Sequence, residues 1–372
     1  MNCRNKILIF CMAVVLTACQ FSRQKKKPSE GMTAVRLDHA KGFRLWEKDG
    51  QQLLKIYGIK GDSSHYQLFR LVPRAAYDPH AAVPEIPVPC HRIVCLSSTQ
   101  LTYFFSLNDA GPIVATNSAR HLFNKSLNAR LESGEVKRVG SEGHFNTELI
   151  ASLHPDVIFV SPFKAGGYDV LKSLGYPLVP MAAYDEETPL GRAEWVKMIA
   201  AFIGKQSEAD SVYSAIETRY NSLRTIAANV KHRPTVFSGK LIRDNWYTPG
   251  GDSFYAHYFR DAGADYIVKD HQKAIYPQNF ETVYAQAAHA DFWRMLIAEP
   301  IGFTKKALLA EDGRYGDFDA FKNNKIIMCN IRVKPYYEEN AMKPDVILSD
   351  YIYFFHPELM PDYKPVFYEY LK

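Results

Sequence analysis

The chain has 372 residues, 47% of them hydrophobic and 23% charged, the composition of a folded protein long enough for two lobes with separate cores. Its formal charge of +5 lies wholly in the first thirty residues: Arg4 and Lys6 contribute +2, and residues 19–30 contribute +3. The body from Gly31 onward is net neutral and offers none of the basic field that a nucleic-acid partner requires.

Residues 1–18 read as a targeting signal. Arg4 and Lys6 form a basic n-region, and Ile7–Val15 is an apolar run too short to span a bilayer. Leu16-Thr17-Ala18-Cys19 resembles the bacterial lipoprotein cleavage box, which implies that residues 1–18 are removed and Cys19 is acylated. Residues 19–33 then suit a disordered tether lying over anionic headgroups, and their RQKKK run points to the periplasmic face of a membrane rather than to surface export. Three of the six cysteines, Cys3, Cys11 and Cys19, belong to the signal and its lipid site. In the body, Cys90 and Cys95 flank an extended HRIVC segment that holds them roughly 16 Å apart, beyond disulfide reach. Together with Cys329 they read as small apolar packing.

Residues 34–90 form an extension. GFRLWEK and LLKIYGI are joined by Asp49-Gly50, a hairpin signal, and HYQLFRLV supplies a third antiparallel strand. Prolines 73, 79, 84, 87 and 89 then predict an extended linker. From 91 to 187 strands alternate with helices: strand Arg92–Ser98, helix Gln100–Leu107, strand Gly111–Thr116, helix Thr147–Leu153, strand Val157–Ser161, helix Tyr168–Leu174 and strand Pro177–Met181. That alternation predicts parallel βαβ units, with ligands beyond the carboxyl ends of the strands. Residues 188–231 are helical. One helix ends at Gly204, and a second is capped at Ser207, carries an apolar stripe from Ala209 through Tyr213, Ile216 and Tyr220 to Ile226, and is long enough to join two lobes. In 232–372 the βα pattern resumes, with strand Thr235–Ser238, helix Ser253–Ala262, helix Phe280–Ala288, strand Ala290–Met295 and strand Ile326–Met328.

One phrase occurs twice. NTELIASLHPDVIFV at 146–160 and NFETVYAQAAHADFW at 279–293 both run from Asn-x-Glu through a short helix to an aspartate that opens an apolar strand. The repeat marks two similar lobes on either side of the long helix.

In order and spacing, several segments resemble the substrate-binding lipoproteins of iron-complex (siderophore or haem) and cobalamin ABC importers. They are RIVCLSS at 92–98, RVGSEGHFNTELIASLHPDVIFVS at 138–161, NWYTPGGDSFYAHYFRDAGADYIV at 245–268 and KPDVILSDYIYFFHPEL at 343–359. The resemblance implies an α/β fold of two Rossmann-like lobes joined by a long rigid helix, a class III periplasmic binding protein, with the ligand held between the lobes. The extension at 34–90 lies outside it. The resemblance further implies that one exposed glutamate per lobe, Glu148 and Glu281, docks onto arginines of the membrane permease. It also implies a lipid-anchored monomer in the periplasm.

The ligand side rests on residues in turns that should face the cleft. Thr99, Arg120, Trp246, Tyr247, Arg332 and Tyr337, with Tyr336, offer aromatic faces and guanidinium groups suited to a large, flat or anionic metal chelate. Trp246 in particular is expected against the ligand. Ferric siderophore, haem and cobalamin all stay open, and no further cofactor is expected. The twelve histidines have no metal-ligand spacing, which disfavours a carrier of free metal.

An enzyme is not expected. Gly251-Asp252-Ser253 resembles the nucleophile block of GDS-type serine esterases, but the late Asp-x-x-His that those enzymes need does not follow it, and Ser253 reads as a helix cap. There is also no G-x-S-x-G, P-loop or G-x-G-x-x-G. A chelatase built on a similar fold stays open as a reading of a different class.

Overall fold

The computed structural model describes residues 29–57, 66–117, 122–141, 143–161 and 168–372. The lipidation site Cys19 and the expected ligand contact Arg120 lie outside the described residues.

The extension is a five-stranded sheet, and the proline-rich stretch contributes to it. Strands Thr33–Ala34, Phe43–Lys48, Gln51–Tyr57 and Tyr66–Pro73 pair antiparallel in sequence order, and Glu85–Val88 then adds in parallel to Tyr66–Pro73. Sequence reading predicted a linker there. Pro87 fits because Glu85–Val88 is an edge strand, where a missing N–H costs no ladder bond. Two buried glutamates, Glu186 and Glu194, fasten the extension to the body. Glu194 accepts the backbone N–H groups of Asp38, His39 and Ala40 at 3.0, 2.8 and 2.7 Å. Glu186 accepts those of Lys41 and Gly42 and the Trp195 indole N–H. Gly42 lies so close that an added Cβ would sit 2.6 Å from the Trp195 ring.

The first lobe is a parallel sheet with strands Leu178–Pro180, Val157–Val160, Ile93–Cys95, Ile113–Thr116 and Lys137–Arg138 in spatial order. The second runs Asp265–Tyr266, Thr235–Ser238, Phe292–Ile297, Ile326–Asn330 and Glu369–Tyr370, parallel but for the last strand. Alternating side chains serve opposite faces of each sheet. Ile93, Cys95, Val157 and Phe159 enter a central core shared with the extension and the linking helix, whereas Val94, Ile158 and Val160 fill an outer one. Phe292 and Ile327 join the same central core from the second lobe, and Trp293, Met295 and Met328 face outward into their own cluster.

The twin aspartates share one job, and Asp156 also pairs with Arg74 of the extension at 3.1 Å. Asp156 accepts the N–H groups of His91 and Arg92 at 2.7 and 3.0 Å, and Asp291 accepts the N–H and hydroxyl of Thr235, both at 2.8 Å. Each ties the start of its own strand to the start of the neighbouring one.

Between the lobes run Pro189–Glu194 and Val196–Ile203, then the linking helix Gln206–Ala228, 23 residues and thus about 35 Å long. Ser207 lies within its first turn rather than capping it. Ala209, Tyr213, Ile216 and Tyr220 are buried, while Ile226, at the far end of the predicted stripe, is exposed. No described helix is long and apolar enough to cross a membrane.

Candidate functional site

Both sheets have a point where successive connections leave in opposite directions. In the first lobe it lies between Ile93–Cys95 and Val157–Val160, in the second between Thr235–Ser238 and Phe292–Ile297. Ligands of open α/β sheets bind beyond the carboxyl ends of the strands at such points. At the first, Ser97 and Gln100 form a capping box at the start of helix Ser98–Ser106, and the half-buried Thr99 places its hydroxyl 2.9 Å from that of Ser97. At the second, Ser238 ends its strand beside Arg294, whose Nη1 donates to the serine hydroxyl at 3.4 Å.

Trp246 is the clear correction. Strand Asn245–Pro249 belongs to a small antiparallel sheet with Leu241–Ile242 and Ile275–Gln278, and alternation turns Trp246 inward and Tyr247 outward. Trp246 is fully buried, donates its indole N–H to the Ser238 carbonyl at 3.0 Å, and packs against Phe237, Phe280, Trp293, Tyr315 and Phe318. No face is left for a ligand. Tyr336, also read as facing the cleft, is buried as well, whereas Tyr247, Arg332 and Tyr337 are exposed. The two tyrosines and Arg332 lie on separate elements of the second lobe, and Thr99 on the first.

Two arginines escaped the sequence reading. Arg294 is almost wholly buried within strand Phe292–Ile297, and its guanidinium stacks 4.1 Å from the Tyr255 ring. Arg192, on the short helix ahead of the linker, stacks 3.5 Å from the Phe254 ring of the second lobe. Its backbone carbonyl accepts the Tyr103 hydroxyl of the first lobe at 2.9 Å. Arg192 therefore sits where both lobes meet. Arg294 had a visible signal, a lone charge in the apolar run FWRMLI.

A second inter-lobe contact is made by Glu338, buried on helix Tyr336–Glu339. Its carboxylate accepts the backbone N–H groups of Phe123 and, at 3.1 Å, Asn124 in the first lobe. Burial raises its pKa, outweighing those two donors.

Glu148 and Glu281 occupy equivalent positions. Asn146 and Asn279 cap their helices by accepting from Leu149 and Thr282 at 2.9 and 2.7 Å, so each glutamate is the second residue of its helix and exposed. Glu281 also meets the exposed Arg314 at 3.2 Å. Ser253 caps helix Phe254–Asp261 by accepting from Ala256, the role its sequence context predicts. Among the described residues, no three His, Cys, Asp or Glu side chains converge to hold a metal ion.

Known proteins place this architecture. A model of the periplasmic binding protein family matches residues 93–332, so the extension lies ahead of it. An uncharacterised lipoprotein of Methanocaldococcus jannaschii is 30% identical over 300 residues, 76% of this chain and 69% of its own length. Another from the same organism is 27% identical over 357 residues, 92% of this chain and 88% of its own. The TroA-like periplasmic binding protein FepB from Veillonella parvula shares the fold with a TM-score of 0.57 at 17% identity, over 76% of this chain and 95% of that one. The S. aureus protein IsdE, solved with heme, gives 0.56 at 16%, over 72% and 99%. A protein of an ABC-type Fe3+-hydroxamate transport system from Saccharomonospora viridis gives 0.57 at 17%, over 72% and 94%. At such identities the structures speak for the fold, class III with two α/β lobes and a linking helix, while the match across most of the body shows that the chain belongs to the periplasmic binding protein family.

Proposed function

We propose that this protein is the solute-binding component of an ABC importer, capturing a metal chelate, with ferric siderophore or haem favoured, and delivering it to a membrane permease. The observation that carries the reading is the pairing of two lobes, each with a topological switch point, with an exposed glutamate at the same helical position in each. Solved proteins of this fold include one complexed with heme and one from an Fe3+-hydroxamate transport system. In this reading Thr99 and Arg120 contact the chelate from the first lobe, and Tyr247, Arg332 and Tyr337 from the second. Cys19 carries the lipid that holds the protein at the periplasmic face of a membrane, as the lipoprotein names of two relatives support.

Glu148 and Glu281 dock on the permease. One exposed ion pair contributes about 0–1 kcal/mol, so two separated contacts are needed to orient both lobes. A permease arginine would take over from Arg314 at Glu281. The test is Glu148→Arg combined with Glu281→Arg. Chelate affinity of the purified double variant should match wild type while cellular uptake is lost; uptake at the wild-type rate would refute the docking role.

A further inference from the structure

We infer that Arg192 and Arg294 supply the positive charge that attracts the acidic groups of the chelate, so that the cleft selects anionic chelates, bearing carboxylates or ionised phenolates, over neutral ones. The inference deepens the proposed chelate-binding function and rests on it.

Arg294 is 3% exposed, yet its partners are neutral. Its Nε donates to the hydroxyls of Tyr351 and Tyr368, both at 3.1 Å, its Nη2 to Tyr368 at 2.5 Å and its Nη1 to Ser238 at 3.4 Å. Among the described residues no carboxylate lies within ion-pair distance of it. The carboxylate beside Tyr351, Asp350, is consumed by the N–H groups of Val366, Phe367 and Tyr368 and the hydroxyl of Tyr363. A guanidinium withdrawn from water without an acid is costly, and the face of Tyr255 offsets only part of that cost.

Arg192 repeats the pattern. Its Nη2 donates to the Tyr184 carbonyl at 2.7 Å, its Nε is buried without a partner, and no described carboxylate pairs with it. The rings on which the two guanidiniums stack, Phe254 and Tyr255, have centroids 5.4 Å apart. Among the described residues, two cations without a paired carboxylate thus share the first turn of helix Phe254–Asp261. The hydroxyls of Tyr258 and Tyr336, buried in the same aromatic layer, also have no partner among the described residues.

Position completes the argument. Arg294 pairs with Ser238 at the second lobe's switch point, where a ligand is expected. Leu296, the next residue on the same face toward the carboxyl end, is only partly buried, as is Tyr255. Arg294 therefore lies directly beneath the cleft floor, and Arg192 where the lobes join. An anionic ligand would supply the charge that both residues lack.

The test compares chelates that differ in charge. Haem, ferric citrate and a ferric tricatecholate are the anionic probes; a neutral ferric trihydroxamate and cyanocobalamin are the controls. Wild type should bind at least one anionic probe tenfold or more tightly than either control. Arg294→Met and Arg192→Gln should each weaken that probe tenfold or more and change control binding less than twofold, while Arg294→Lys retains most of the affinity. Because Arg294→Met removes a buried charge with no counter-charge, the melting temperature of the unliganded protein should not fall. Three results overturn the inference: tighter binding of a neutral chelate by wild type, equal loss of both classes in the variants, or unchanged anionic binding in either variant. If no chelate of either class binds, the parent reading fails and this one falls with it; neutral binding alone leaves the parent reading standing.

Discussion

Within the second lobe, Phe237, Phe280, Trp293, Tyr315 and Phe318 close around Trp246, and the indole N–H is spent on the Ser238 carbonyl. Trp246 accordingly belongs to stability. Trp246→Ala should cost about 3–5 kcal/mol, as emptying a buried aromatic site does, seen as a lower melting temperature with chelate affinity within twofold of wild type. A large loss of affinity in a variant that melts normally would return Trp246 to the cleft. The sequence placed Trp246 and Tyr247 in one turn-flanked segment but carried no register, and a single-residue step in a strand exchanges inside for outside. The Ser253 cap was legible because its chemistry is local. The stacking of Arg192 and Arg294 on neighbouring rings was not, since it joins a strand, a helix and a lobe junction far apart in the chain.

At the scale of elements, the repeated phrase resolves into three separate functions. Asparagine caps the helix, glutamate stands exposed beside it, and aspartate fastens the adjacent strand. The helix Tyr336–Glu339 shows a different kind of joint. Burial keeps the Glu338 carboxyl protonated to higher pH than an ordinary glutamate, so the folded protein holds this proton more tightly than the unfolded chain does. The linked stability is then largest below the ordinary glutamate pKa of about 4.3, falls as pH rises through the raised native value, and is level above it. Glu338→Gln has no such proton. The stability of wild type relative to this variant should decline as pH rises through that window, which melting curves across it can read; a difference that grows with pH would contradict the assignment. The long helix was legible from its apolar stripe. Its start was not, because Ser207 has the composition of a cap while the helix begins at Gln206 without one. The edge strand Glu85–Val88 was hidden by its prolines, whose penalty disappears at a sheet margin.

Over the whole molecule, the extension is bound to the region that joins the lobes and, through Arg74 and Asp156 at 3.1 Å, to the first lobe. Glu186 and Glu194 hold its backbone, His39 meets Glu217 of the linking helix at 2.9 Å, and Glu187 contacts both Lys41 of the extension and Lys273 of the second lobe. The two-lobe plan could be read from alternating elements and the repeat, because periodicity reports which faces are buried. The seating of the extension could not, since it depends on carboxylates meeting backbone N–H groups about 150 residues away. The central claim is that the cleft between the lobes holds one metal chelate. Native mass spectrometry of the protein after incubation with haem, ferric siderophores and cobalamin tests it most directly. The account predicts one intact chelate retained per chain and no retention of iron supplied without a chelator; retention of the bare metal, or of none of these chelates, would contradict it.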